Sequence, residues 1–160
     1  MPATYDSIAT TTLSTTQNEI TFTSIAGTYT DLVIVANGGV TSTNDIWLRF
    51  NSDTGTNYSR TRMTGSGSAA ASTRNSAFDS ILINAGTVGS NANFIINIMN
   101  YANATTFKTA VSRFNSSSFV VASVGLWRST SAITSVSLRA GSADTFTSGS
   151  TFSLYGIKAA

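Results

Sequence analysis

The feature that most restricts this chain is a two-residue alternation of apolar and polar side chains that recurs along its length. Ile46, Leu48 and Phe50 fall on one side of an extended segment and Trp47, Arg49 and Asn51 on the other, because successive side chains of a strand point to opposite faces. The same alternation sets Ile20 and Phe22 against Thr21 and Thr23, and Val136, Leu138 and Ala140 against Ser137 and Arg139. Phe94, Ile96 and Ile98 alternate with Ile95, Asn97 and Met99, and Phe152 and Leu154 repeat the pattern. A half-buried strand needs a second layer over its apolar side.

Further strands are predicted over 7–13, 31–37, 58–64, 80–85, 106–114 and 119–127, separated by clusters of Gly, Asn and Ser. About ten short strands at this spacing predict an all-β fold, an antiparallel two-sheet jelly roll or β-sandwich. Ser and Thr fill about a third of the 160 positions, and Glu19 is the sole glutamate, so the chain is poor in helix formers. The run Gly65-Ser66-Gly67-Ser68-Ala69-Ala70-Ala71-Ser72 reads as a flexible loop, with a short turn of helix over 69–77 as the alternative. The only proline is Pro2 and no linker interrupts the chain, so residues 4–160 are expected to form a single domain.

Composition also removes classes of function. There is no Cys and no His, which excludes disulfides, thiolate metal sites and nucleophiles activated by imidazole. The net charge is +2 and the cations are scattered, unlike the clustered footprint of a nucleic-acid binder. The apolar run Leu32-Val33-Ile34-Val35-Ala36 is too short to span a bilayer. The first residues, Met1 to Asp6, carry no basic and apolar regions of a secretory signal. Synthesis in a cytoplasm, with retention there or release by lysis, is the expectation.

Several groupings could carry chemistry. Asn51, Asp53, Gly55 and Asn57 alternate as the oxygen ligands of a calcium loop do, but Asp53 is the only carboxylate among them. The stretch therefore reads as a turn, with Asp53 capping it and Gly55 taking positive φ. Arg60 and Arg62 share one face of the following strand, after Tyr58; they suit an acidic partner surface or a phosphate, or simply a solvated face. Trp47 lies on the same side of its strand as Arg49, the pairing of an interface anchor, with a sugar-stacking platform as a further reading. Trp127, beside Arg128, reads as core. The carboxylates Asp6, Glu19, Asp31, Asp45, Asp53, Asp79 and Asp144 form no close pair in sequence, and a glycosidase needs two flanking one bond. No enzyme activity and no cofactor are expected.

Three segments carry a resemblance: "LRFNSDTGTNYS", "GLWRSTSAITSVSLRAGSADTFTSGS" and the close "GSTFSLYGIKAA". Together they resemble small jelly-roll virion structural proteins of tailed bacteriophages, over roughly residues 5 to 157, with the part between Met63 and Phe78 outside the match. The resemblance implies a commonly trimeric subunit on the outside of a particle, made in the host cytoplasm. It would be a capsid decoration (cement) protein bound to the major capsid protein, with no membrane or nucleic-acid partner. The alternative is a tail-tip or fibre module recognising a cell-surface glycan. No catalytic residue comes with it, and Trp47, Arg49, Tyr58, Arg60 and Arg62 are the residues expected at a protein interface.

Overall fold

The computed structural model describes residues 4–41, 45–84, 92–141 and 143–158. They form β1 (Tyr5–Thr12), β2 (Glu19–Phe22), β3 (Asp31–Gly38), β4 (Ile46–Phe50), β5 (Tyr58–Gly65) and β6 (Ala70–Phe78). These are followed by β7 (Ile81–Leu82), β8 (Ala92–Met99), β9 (Lys108–Asn115), β10 (Val120–Trp127), β11 (Val136–Ala140) and β12 (Thr151–Ile157). Every pairing is antiparallel. One sheet has eight strands in the order β1-β12-β3-β8-β9-β10-β5-β6, and the other has four, β2-β11-β4-β7. The fold is an all-β sandwich.

The connectivity shows how the ribbon is wound. β1 pairs with β12, β2 with β11, β3 with β8 and β4 with β7, so the chain folds back along itself as one long antiparallel ribbon. Wrapping that ribbon places β1-β12-β3-β8 over β2-β11-β4-β7, the eight-strand jelly-roll arrangement. The hairpin β5–β6 is inserted between β4 and β7, and the hairpin β9–β10 between β8 and β11. The two insertions join each other, Val120 to Trp127 against Gly65 to Tyr58, and extend the larger sheet by a four-stranded wing, β9-β10-β5-β6.

Inward residues of both sheets form one apolar cluster that includes Ile34, Leu48, Phe50, Ile96, Leu138 and Leu154. Phe94 lies between Phe114 and Phe152, each with ring centroids 6.4 Å from its own, and Phe146 stands edge-on to Phe152 at 4.9 Å. The wing crosses the small sheet closely at Gly125, where a Cβ would sit 2.5 Å from Ile81 Cδ1. Only glycine leaves room for that isoleucine.

Two expectations are corrected. Residues 70–78 are neither loop nor helix but strand β6; their side chains are mostly exposed on both sides, so no apolar alternation was selected, and the ladder to β5 supplies the order. The strand expected over 80–85 is only the pair Ile81–Leu82, and Ala85 lies outside the described residues. Among the described residues there are accordingly twelve strands rather than about ten.

Candidate functional site

The turn after β4 is built around Asp53. Asn51 and Ser52 take φ of 51° and 54°, the left-handed region that asparagine tolerates best after glycine. Asp53 Oδ1 then accepts the Gly55 amide at 2.8 Å, and its Oδ2 accepts Asn57 Nδ2 at 2.9 Å and the Trp127 indole N–H at 2.7 Å. Gly55 is therefore needed for space rather than for positive φ: a Cβ there would lie 2.8 Å from Asn57 Nδ2. Partial burial pushes the Asp53 carboxyl upward, but the donors from Trp127, Asn57 and Gly55, with Arg49 nearby, outweigh it and hold the group below its ordinary value.

Asn51 ties the same turn to the segment before β11. Its Oδ1 accepts the Thr134 and Ser135 amides at 2.8 and 3.1 Å, and its Nδ2 donates to the Ala132 carbonyl at 2.8 Å. Tyr58, with 0% of its surface exposed, donates to the Phe50 carbonyl at 3.2 Å and accepts the Phe50 amide at 3.1 Å. Its ring stacks on Trp127 at 6.2 Å, and burial pushes its phenol above the usual range. The stretch from Asn51 to Tyr58 is thus a clasp joining β4, β5, β10 and the approach to β11. Trp127 lies in the core, as its sequence context implied.

Trp47, Arg49, Arg60 and Arg62 come from both sheets and meet at the root of the wing. The Arg60 guanidinium lies 5.2 Å from the ring centroids of both Trp47 and Phe78, a cation held between two aromatic faces. Its Nε donates to Asn75 Oδ1 at 3.3 Å. Arg62 Nη1 donates to the Asn84 carbonyl at 2.9 Å. Arg49 bonds the Asp79 carbonyl at 3.0 Å and its carboxylate at 2.5 Å. Burial raises the Asp45 carboxyl above its ordinary value, with Arg60 and Arg62 opposing the shift. Burial, then Arg62, lower Arg60, with Asp45 opposing.

Beside this cluster is a hollow of about 350 Å³ lined by Asp45, Trp47, Arg49, Asp79, Arg139 and Gly141. Asp79 and Arg139 carried no signal in the sequence, since they join the cluster from segments distant in the chain, as Arg139 does opposite Trp47, whereas Asp45 lies only two residues before Trp47. Among the described residues no group of three carboxylates could hold a metal ion. Asp6 is paired with Lys158, and Asp144 is buried. The five residues expected at an interface are thus divided: Tyr58 is core, Arg60 is 9% exposed, and Trp47, Arg49 and Arg62 are intermediate.

A third feature is the outward face of the wing, which bears the exposed residues Met63, Val111, Val120 and Val124. No protein-family model matches the chain, and no curated protein is significantly similar to it.

Proposed function

We propose that this chain is a bacteriophage virion structural protein, a capsid decoration protein that binds the outer surface of the major capsid shell and stabilises it. The observation that supports the reading best is the wing: two inserted hairpins build a sheet face with apolar residues that stand exposed among the described residues. Such a face suits broad contact with another protein. The chemistry-bearing residues support a structural role as well, because Asp53, Asn51 and Arg49 are spent on tying strands together. A rigid sandwich bound where several shell subunits meet would oppose outward pressure through simultaneous contacts, and a homotrimer would multiply them.

The test is addition of purified protein to heads that lack it. Binding, with greater resistance of the heads to heat and dilution, is the expected result; absence of binding together with undiminished stability of the bare heads would sink the reading. A second reading, a tail-associated module that recognises a cell-surface glycan, draws on the hollow beside Trp47, where an aromatic ring adjoins carboxylate and guanidinium groups. Glycan-array binding abolished by Trp47→Ala would favour it.

A further inference from the structure

The strands of the wing contain no Asp or Glu at all. β5, β6, β9 and β10 read YSRTRMTG, AASTRNSAF, KTAVSRFN and VVASVGLW, so five cations and no carboxylate occupy four adjacent strands. Pairing register sorts these cations by face. Val111 lies opposite Val124, Val124 opposite Thr61, and Thr61 opposite Arg74; in the neighbouring row Arg113, Ala122, Met63 and Ser72 follow one another. Arg60, Lys108 and the largely covered Arg62 belong to the other set and turn inward. The outward face therefore carries Arg74 and Arg113, both exposed, and at its rim the exposed Arg128, whose Nη2 donates to the outward Ser59 at 3.0 Å. They stand among Met63, Val111, Val120 and Val124, which are 58%, 36%, 64% and 48% exposed.

From this juxtaposition we propose that the outward face of the wing docks an acidic protein surface, its apolar residues packing centrally while partner carboxylates meet Arg74 and Arg113. The inference deepens the reading above and rests on it for the partner's identity as the shell. Four strands at about 4.8 Å spacing and eight residues at about 3.3 Å rise make a plane of about 500 Å² before side-chain relief. That approaches the roughly 800 Å² each partner contributes to a specific complex. An apolar cavity of about 900 Å³ adjoins the Gly65–Val120 end of the wing, lined by Met63 and Val120 of the outward rows and by Phe94, Phe114 and Val121 of the inward one.

Charge argues against a second copy as the occupant. Two such faces in a two-fold contact would oppose arginine to arginine with no carboxylate between them. Elsewhere in the chain Asp6 and Asp79 are in ion pairs, Asp53 holds three donors, Asp31 accepts the Asn100 amide, Asp45 is half-buried and Asp144 buried, which leaves Glu19 as the one exposed carboxylate among the described residues. Three arginines spread among four apolar side chains are also too sparse for a phosphate backbone, which is met by clustered cations.

The experiment is shift mapping of ¹⁵N-labelled protein with a random glutamate–tyrosine copolymer, with polyglutamate and duplex DNA as further probes. Expected are saturable shifts at Met63, Val111, Arg113 and Val124, weaker with polyglutamate, and about tenfold weaker in the double variant Arg74→Glu/Arg113→Glu. Both positions are exposed, and a retained melting temperature shows that the variant folds. No shift, shifts centred on β1 and β12 or on Trp47, or tighter binding of DNA at the wing would overturn the proposal. So would self-association that Val124→Glu abolishes. Stripped heads separate the two claims: if wild type and the double variant bind heads alike, the face is wrong and the virion reading stands. If neither binds while the copolymer still maps to the wing, the face stands and the virion reading falls.

Discussion

Replacing Asp53 with alanine should open the clasp that joins β4 to β10. The Trp127 indole N–H, now bonded to Asp53 Oδ2 at 2.7 Å, belongs to a residue 2% exposed, so the donor loses its partner in a place water reaches poorly. An unsatisfied buried donor costs about 1–3 kcal/mol. The bonds from Gly55 and Asn57 are exposed and together add about 1 kcal/mol. The sum is about 3 kcal/mol, which for a chain of this size lowers the melting temperature by about 6–12 °C. Asp53→Asn keeps one acceptor oxygen and should lose about half as much.

The readout is urea unfolding followed by circular dichroism, repeated across pH. Because the folded carboxyl is held below its ordinary value, its contribution is full above the unfolded value, about 3.9, and is lost as pH falls through the lower folded value. Wild type should therefore lose more stability than Asp53→Asn on acidification from neutrality. An Asp53→Ala protein within about 0.5 kcal/mol of wild type would refute the reasoning, since that is the scatter of surface substitutions that touch nothing.

Tyr58→Phe leaves the buried Phe50 amide without the hydroxyl it now meets at 3.1 Å and should cost about 1–3 kcal/mol in chemical denaturation. Asn51→Ala removes acceptors from Thr134 and Ser135 and places alanine at a φ of 51°; a loss of about 2–3 kcal/mol is expected, with Asn51→Gly milder because glycine accepts that conformation. Gly125→Ala sets a methyl against Ile81 and should destabilise by about 1–3 kcal/mol, with Ile81→Val restoring part of the loss in the double variant. A calorimetric calcium titration should give no heat and no change in melting temperature, because Asp53 is the only carboxylate in the turn and both its oxygens already accept hydrogen bonds; tight binding would reassign the turn.

Strands β2, β4 and β8 of the jelly-roll ribbon were legible because each has one wet and one dry side. β4 alternates strictly, with Ile46, Leu48 and Phe50 buried between partly exposed Trp47 and Arg49, and burial is the signal that alternation records. β6 was illegible for the opposite reason: an edge strand exposed on both sides has no dry face to write into its sequence. The Asp53 turn was readable as a turn, because its capping is local, within four residues. The bond to Trp127 spans 74 residues and the stacking of Arg60 on Trp47 joins different sheets. Neither leaves a spacing in the chain, so the clasp and the cluster at the wing root appear only once the ribbon is wound.

The pairing of β1 with β12 has a consequence for the order of events during synthesis. Among the described residues β1 is an edge strand paired with β12 alone, and Thr12 and its partner Thr151 are 139 positions apart. At about 5–20 residues per second, a ribosome takes roughly 7–28 seconds to supply that partner. Throughout that interval β1 waits for its partner, and its backbone is open to any other strand edge. The Thr-rich, nearly chargeless run from Ile8 to Thr12 is therefore the segment most dependent on speed of translation, and slowing elongation should divert the nascent chain into aggregates before it disturbs the finished fold.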